Sequence, residues 1–240
     1  MFAMTLRFGS AGLTLLACAL TLAGCQSPAP GKVEPLPPLP PLVVAGTRHC
    51  VVDPAASRVV FLVYRVGPLA ALGHNHVIRA RRFSGDVYIN REFNKSAFSL
   101  TFPVADFEVD NRKDRVMEGP DFTTRPSTTA IAETTHNMKG PNVLDAKDYR
   151  NISVRSVKVS GTREHPVVTV RIGLRGAMAD MTVPLTVVQN TDQMLSVSGS
   201  FIVKQTRFGI VPFSTMGGGL RVKDEIRIRF RIVAECAESS

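Results

Sequence analysis

The chain has 240 residues, 44% of them apolar, which is enough for one sizeable core in a single domain. Its 29 Lys and Arg against 20 Asp and Glu give a formal charge of +9, a balance that suits anionic lipid, an anionic ligand or nucleic acid. Ser, His and Asp are all present, but neither a nucleophile-elbow pattern nor a triad spacing can be picked out, which argues against a hydrolase and against any enzyme.

The first 24 residues read as a signal peptide. Arg7 and the amino end supply positive charge, residues 11–23 a short apolar run, and Leu22-Ala23-Gly24 small residues ahead of Cys25. The run is too short to span a membrane as a helix. Its end resembles the lipobox of bacterial lipoproteins, which implies cleavage before Cys25 and acylation of that residue, palmitate included. The alternative is a plain secretory signal that leaves Cys25 as a free thiol. Several acyl chains on one residue exceed the two-signal threshold for stable anchoring. Gln26 stands where an Asp would mark inner-membrane retention in Gram-negative lipoproteins, so the resemblance implies the outer membrane, facing the periplasm. Export makes nucleic acid the poorest of the three partners. Loss of Arg7 with the leader leaves 28 basic against 20 acidic residues, or +8.

Residues 25–46 form the next unit. Pro28, Pro30, Pro35, Pro37, Pro38, Pro40 and Pro41 lie close together, and repeated proline fixes φ and removes amide donors. An extended polyproline II tether is expected, reaching roughly 60 Å at about 3.1 Å per residue, with a PxxP ligand for a partner domain as the alternative. Once the leader is removed and Cys25 is acylated, Cys50 and Cys236 remain, one near each end of the domain at 47–240. In an oxidising compartment the two are candidates for a disulfide.

The domain reads as β almost throughout. Val59 to Val66 is an apolar run opened by the turn formers Asp53-Pro54 and Ser57, and Ser96 to Pro103 alternates Phe98, Leu100 and Phe102 with Ser99 and Thr101. Between them lies the polar cluster His74-Asn75-His76. In an extended segment residues two apart share a face, so both imidazoles are expected on one side. They are exposed rings at a turn, a polar lip on a ligand pocket, or a metal or haem ligand pair that His136 would join as a third ligand. Ser127 to Met138 carries the one helical signal, opening on Ser127 as N-cap and closing at Gly140. In Ile152 to Val159 the apolar phase slips from Ile152 and Val154 to Val157 and Val159, the signature of a β-bulge. Val168, Val170, Ile172 and Leu174 then alternate cleanly with polar or small residues, as do Leu195, Val197, Gly199, Phe201 and Val203. In the last strand Ile226, Ile228, Phe230 and Ile232 face one way and Glu225, Arg227, Arg229 and Arg231 the other. Turns fall at Ser160-Gly161, Asn190-Thr191 and Met216 to Gly219. Periodicity alone leaves an antiparallel sandwich and a closed barrel equally open.

Several of these segments, in order across nearly the whole domain, resemble the YceI-like family of bacterial envelope proteins. They are Val52-Asp53 with Ser57; Gly73-His74 with Phe83-Ser84-Gly85; Asp121-Phe122; Asn137-Met138-Lys139-Gly140 with Val143-Leu144-Asp145 and Tyr149; Leu174-Arg175-Gly176 with Val183-Pro184; and Arg207-Phe208-Gly209-Ile210 leading to Val222-Lys223-Asp224-Glu225. Arg150 stands where the family usually has proline, and Arg175 where histidine is common. The resemblance implies an all-β fold, an extended antiparallel lipocalin-like β-barrel with one or two short helices. It also implies an interior that holds an isoprenoid lipid or an isoprenoid quinone as bound ligand, with no further cofactor. His74, His76, Phe83, Arg207 and Phe208 are then the candidate pocket or rim residues. The same apolar residues would equally serve to fill a solid core, and only unfilled volume separates the two.

Overall fold

A computed structural model of the chain describes Leu42 and residues 45–237; the leader, Cys25 and all but the last residues of the tether lie outside the described residues. Strands β1 (Thr47–Val52), β2 (Arg58–Val63), β3 (Arg65–Val66), β4 (His76–Ala80), β5 (Ser84–Asn90), β6 (Ala97–Pro103) and β7 (Phe107–Val109) come first, followed by helices α1 (Arg112–Met117) and α2 (Thr128–Lys139). After them come β8 (Asn151–Gly161), β9 (Pro166–Leu174), β10 (Ala177–Asn190), β11 (Met194–Lys204), β12 (Ser214–Thr215), β13 (Leu220–Val222) and β14 (Glu225–Cys236). Eight strands close an antiparallel barrel in the order β1-β5-β6-β8-β9-β10-β11-β14, with β14 pairing back onto β1. The barrel, and not the sandwich, is the outcome.

Closure depends on how β14 shares one edge between two partners. Arg227 to Arg231 pair with β2, and Ala234 to Cys236 pair with β1. At the junction the hydroxyl of buried Ser57 accepts from the Val233 amide at 2.8 Å and donates to the Val233 carbonyl at 3.3 Å, so a side chain does the work of a missing strand residue. Asp53 makes the turn that allows this, its Oδ1 accepting from the amides of Ala55 at 2.7 Å and Ala56 at 3.2 Å. From β2 the sheet continues outward through β4 to β7. The run expected as one strand to Val66 breaks at Tyr64, and β3 leaves to pair with β13 in a small second sheet.

Side chains alternate between the two faces. On β9 the alternating set Val168, Val170 and Ile172 is buried, as expected for a barrel whose strands carry one dry face. The bulge read in β8 is present, as a register shift between Ser156 and Lys158. A second shift, between Val187 and Gln189 in β10, leaves Val188 exposed. Val60, Leu62, Val77, Phe122 and Tyr64 form a smaller cluster apart from the main core, where residues of β2 and β4 meet the turn at Pro120–Phe122. Above it Arg58 pairs with Asp114 and with Glu118, which also holds Arg229 at 2.7 Å. Helix α2 forms as expected, the Ser127 hydroxyl accepting from the Ala130 amide at 3.1 Å, and it stops at Gly140 in extended, not left-handed, conformation. Cys50 and Cys236, directly opposed across β1 and β14, are joined by a disulfide. No helix among the described residues is long and apolar enough to cross a membrane.

Candidate functional site

The barrel is hollow. A cavity of about 420 Å³ runs inside it, a size typical of sites that take up a small molecule. Its wall is the inward set of almost every strand: Pro166, Val168, Val170, Ile172 and Leu174 along the whole of β9, Ile226, Ile228, Phe230 and Ile232 along β14, and Leu195, Val197, Phe201 and Val203 along β11. Gly199 sits opposite Phe230, and a Cβ there would lie 2.5 Å from the Phe230 ring, so this glycine is what makes room for the aromatic. Met138 of α2 and Val143 and Leu144 beyond it complete the wall.

Polar side chains reach the cavity only towards its two ends. At one end are Ser96, Arg163 and Asn190, where β6 and β9 begin and β10 finishes. These are largely engaged: Asn190 Oδ1 accepts from Arg48 Nη2 at 2.5 Å, and Arg163 donates to the Arg91 carbonyl while lying 5.8 Å over the Phe93 ring. At the other end are His76, Thr134, Asn137 and Gln205. The pairings Val203↔Ile226, Leu62↔Arg227 and Val63↔His76 set His76 level with Val203, three strands away along the sheet.

His76 is held by a buried ionic cluster. Its Nδ1 lies 2.6 Å from Asp110 Oδ2, and the carboxylate is fully enclosed while the imidazole keeps 16% of its side-chain surface. Asp110 Oδ1 accepts from the Val77 amide at 2.9 Å and from Arg115 Nη1 at 2.5 Å. Burial alone would raise the Asp110 carboxyl, but the hydrogen bond and charge of His76, the Val77 amide and Arg115 outweigh it and hold it below the ordinary carboxylate range. An ionised carboxylate only accepts, so Nδ1 carries the proton in this pair. Asp110 adopts φ +54°, a left-handed conformation that turns the chain out of β7. Arg115 also donates to the carbonyls of Asn75 at 2.7 Å and Thr124 at 3.0 Å, tying α1 to the histidine segment.

The two histidines do not share a face. Strand β4 begins at His76, and His74 lies in the irregular segment before it, with the rings edge to face at 6.3 Å. His76 lines the cavity and His74 does not. Burial, then the neighbouring charges of His76 and Arg115, push the His74 imidazole below its ordinary value. The three histidines are not gathered into one ligand set. His136 projects from α2 as an exposed side chain, and no group of three His, Cys, Asp or Glu able to hold a metal ion exists among the described residues. Of the other candidates, Phe208 is buried in the cavity wall, and Arg207 is exposed outside it. Phe83 stacks on Phe102 at 4.9 Å, and it is Phe102 that lines the cavity.

The sequence profile of the YceI-like domain matches residues 51–234. The chain belongs to the YceI-like family. No curated protein matches it. Among solved structures, BcnA of Burkholderia cenocepacia is similar at 20% identity and a TM-score of 0.55, over 76% of this chain and 98% of that one. A polyisoprenoid-binding domain from Saccharophagus degradans is similar at 12% identity and a TM-score of 0.53, over 80% and 99%. At these identities the likeness speaks to the fold alone.

Several motif residues of this YceI-like domain have visible structural work. Arg175 and Gly176, at φ +52° and +74°, form the two-residue turn between β9 and β10, and Tyr149 packs against Gly176. Gly209, at φ +68°, lets Phe208 and Ile210 both enter the wall. Sequence reasoning missed Asp110, Arg115 and Gln205. Asp110 is 34 residues from His76 in the chain, and no local pattern announces the pairing.

Proposed function

We propose that this YceI-like protein is a membrane-anchored lipoprotein of the cell envelope that binds, and ferries, an isoprenoid lipid or isoprenoid quinone inside its barrel. The observation that carries this reading is the apolar cavity, which extends along the full length of β9 and is polar only near its ends. A long unbranched or methyl-branched chain fits such a space, with burial stabilising it by roughly 25 cal/mol per Å² of apolar surface removed from water. The printed description of the Saccharophagus degradans neighbour, a polyisoprenoid-binding domain, supports the same ligand class. Leu22-Ala23-Gly24-Cys25 and the proline-rich stretch after it support anchoring through an acylated Cys25 on a spacer, with the domain facing the periplasm from the outer membrane. The Cys50–Cys236 disulfide is in keeping with an oxidising compartment. Binding needs no chemical step, and no catalytic role is assigned.

The test is mass spectrometry of lipids extracted from the purified full-length protein, followed by uptake measurements with polyprenyl compounds. A co-purifying prenyl lipid, or stoichiometric uptake of one, is expected. A protein that emerges empty and takes up none overturns the reading. Globomycin-type inhibition of lipoprotein processing, with Cys25→Ala as control, tests the anchor separately through the mass of the mature N-terminus.

A further inference from the structure

The small second sheet caps the His76 end of the barrel, with β13 between β3 and β12. Two short turns, Ala70–Leu72 and Met216–Gly218, close on it. The Leu69 amide donates to the carbonyl of Gly219, just ahead of β13, at 2.9 Å, and a Cβ on Gly73 would touch the Leu220 side chain. Four large apolar side chains are exposed on this tip: Leu69, Leu72, Phe213 and Met216. Met216 sits at φ +52° with 56% of its surface exposed. Left-handed backbone favours Gly, Asn or Asp, so neither backbone preference nor packing accounts for a methionine held out there. Phe213 and Val222 also line the cavity, so the cavity wall runs out into the tip.

The charge around the tip has one sign. Residues 64–75 and 204–223, which build it, include Arg65, Lys204, Arg207, Arg221 and Lys223 and no Asp or Glu. Lys204, Arg207 and Arg221 are exposed, while Arg65 donates to the Gly73 carbonyl. The neighbouring acids are engaged: Asp224 by the Thr206 hydroxyl at 2.8 Å, Glu225 by Lys223 at 3.3 Å and Asp180 by Arg171 at 2.7 Å. Exposed apolar side chains ringed by cations suit the boundary of a bilayer with anionic head groups. There the apolar groups enter by about 5 to 10 Å and the cations stay at the phosphates.

We infer that this tip docks on a lipid bilayer bearing anionic head groups and that cargo enters and leaves the barrel there. The inference rests on the carrier reading and names the surface from which the carrier loads. The tether permits it. Thr47, where the tether meets β1, pairs with Asn90 at the opposite end of the barrel from the tip. The 12 residues of β14, at about 3.3 Å each, make the barrel at most about 40 Å long. A tether of roughly 60 Å exceeds that, so the domain reaches, tip down, the membrane that an acylated Cys25 would hold.

The chain contains no Trp, so one introduced indole reports from one place. Full-length Leu72→Trp and, as a reference near the tether end, Val188→Trp, both at exposed positions, are mixed with vesicles of phosphatidylcholine with or without phosphatidylglycerol. Part of the lipid is brominated on its acyl chains, which quenches an indole that enters. Bromine is expected to quench Leu72→Trp and spare Val188→Trp, with phosphatidylglycerol needed for the full effect. In the Leu72→Trp background, Arg221→Gln should lower the docked-to-free ratio about fivefold. Met216→Asp, which suits the left-handed backbone, should lower it more than about tenfold. Transfer of a polyene-tailed prenyl lipid from vesicles to protein should slow by the same factors while uptake from detergent is unchanged; transfer that keeps its rate when docking is lost overturns the inference. Circular dichroism and the thermal midpoint establish that each variant is folded, and Phe213→Trp is the second probe if Leu72→Trp is not. Quenching of neither indole, of Val188→Trp alone or of both equally overturns the inference and leaves the carrier reading, tested by lipid uptake, standing. Blue-shifted Leu72→Trp emission without lipid quenching assigns the tip to a second copy or another protein and also overturns it. A quenched tip on a protein that takes up no prenyl lipid upholds the docking and overturns the carrier reading.

Discussion

Reduction of the Cys50–Cys236 bond should open the barrel at its seam. The two cysteines are 186 residues apart in sequence, so the bond closes nearly the whole domain into one loop. In the chain-entropy account a loop of that length corresponds to about 5 kcal/mol of stability, an upper value because the reduced unfolded chain keeps some structure. Beyond the bond, the seam holds through the short pairing of Cys50, Val51 and Val52 with Cys236, Glu235 and Ala234. Urea unfolding of oxidised and reduced protein, followed by far-UV circular dichroism, isolates the bond because both sulfurs stay in place. With a slope of about 2 kcal/mol per molar urea, the reduced midpoint should fall by about 2 M. Hydrogen exchange should show the β1 amides of the reduced protein opening before those of β9 to β11, whose long pairings do not depend on the seam. A reduced protein whose midpoint lies within about 0.5 M of the oxidised one would refute the reasoning, since closure would then rest on the strand pairing alone.

Three further outcomes are expected. Gly199→Ala places a methyl 2.5 Å from the Phe230 ring and 2.9 Å from the Pro184 carbonyl, and should cost about 1 to 3 kcal/mol in a thermal melt; an unchanged midpoint would mean that the ring swings into the cavity at no cost. Glu118→Ala leaves Arg58 and Arg229 without their shared carboxylate, for a loss of about 2 to 3 kcal/mol by denaturant titration, and adding Arg229→Ala should cost less than it does in the wild type. Asp110→Asn tests the pH dependence of the histidine cluster. Because the folded carboxyl sits below its unfolded value, its contribution is complete above the ordinary carboxylate range and disappears as the pH falls through the folded value. The stability gap between wild type and Asp110→Asn should therefore be widest near neutrality and narrow on acidification towards pH 3; a gap that widens on acidification would reverse the assigned direction.

The strands whose faces differ most were legible from residue order alone. In β14, Ile226, Ile228, Phe230 and Ile232 turn inward against three arginines outward, because period-two alternation is a direct record of one dry and one wet face. The bulge in β8 was legible for the same reason, since a slipped phase between Val154 and Val157 must appear as an extra residue at Ser156 to Lys158. Helix α1 was not. It is a single turn and a half of mostly charged residues, capped by Asn111 accepting from the Lys113 amide at 3.0 Å, and it forms because buried Asp114 and Arg115 find partners on other elements. The break at Tyr64 was hidden likewise: Val59 to Val66 reads as one apolar run, and only the pairing of β3 with β13 divides it. The histidines were found but misplaced, because the rule that residues two apart share a face holds only where the chain is extended, and β4 starts at His76.

Within the proposed carrier the two parts of the site have different jobs, and magnitudes separate them. A five-carbon prenyl unit, at about 0.8 kcal/mol per buried carbon, contributes roughly 4 kcal/mol before ordering costs, whereas one hydrogen bond contributes about 1 kcal/mol net. The tail thus sets affinity, and tail length up to the limit of the cavity should matter more than head chemistry. Burial is non-directional, however, and an apolar tube with featureless ends would admit a chain either way round. Direction has to come from a difference between the ends, and the ends differ in their polar side chains: His76, Thr134, Asn137 and Gln205 at one, Ser96, Arg163 and Asn190 at the other. The enclosed Asp110 carboxylate, costly to bury and compensated by Val77 and Arg115, is then explained by what it fixes: one nitrogen of one imidazole, at one end of an otherwise greasy barrel.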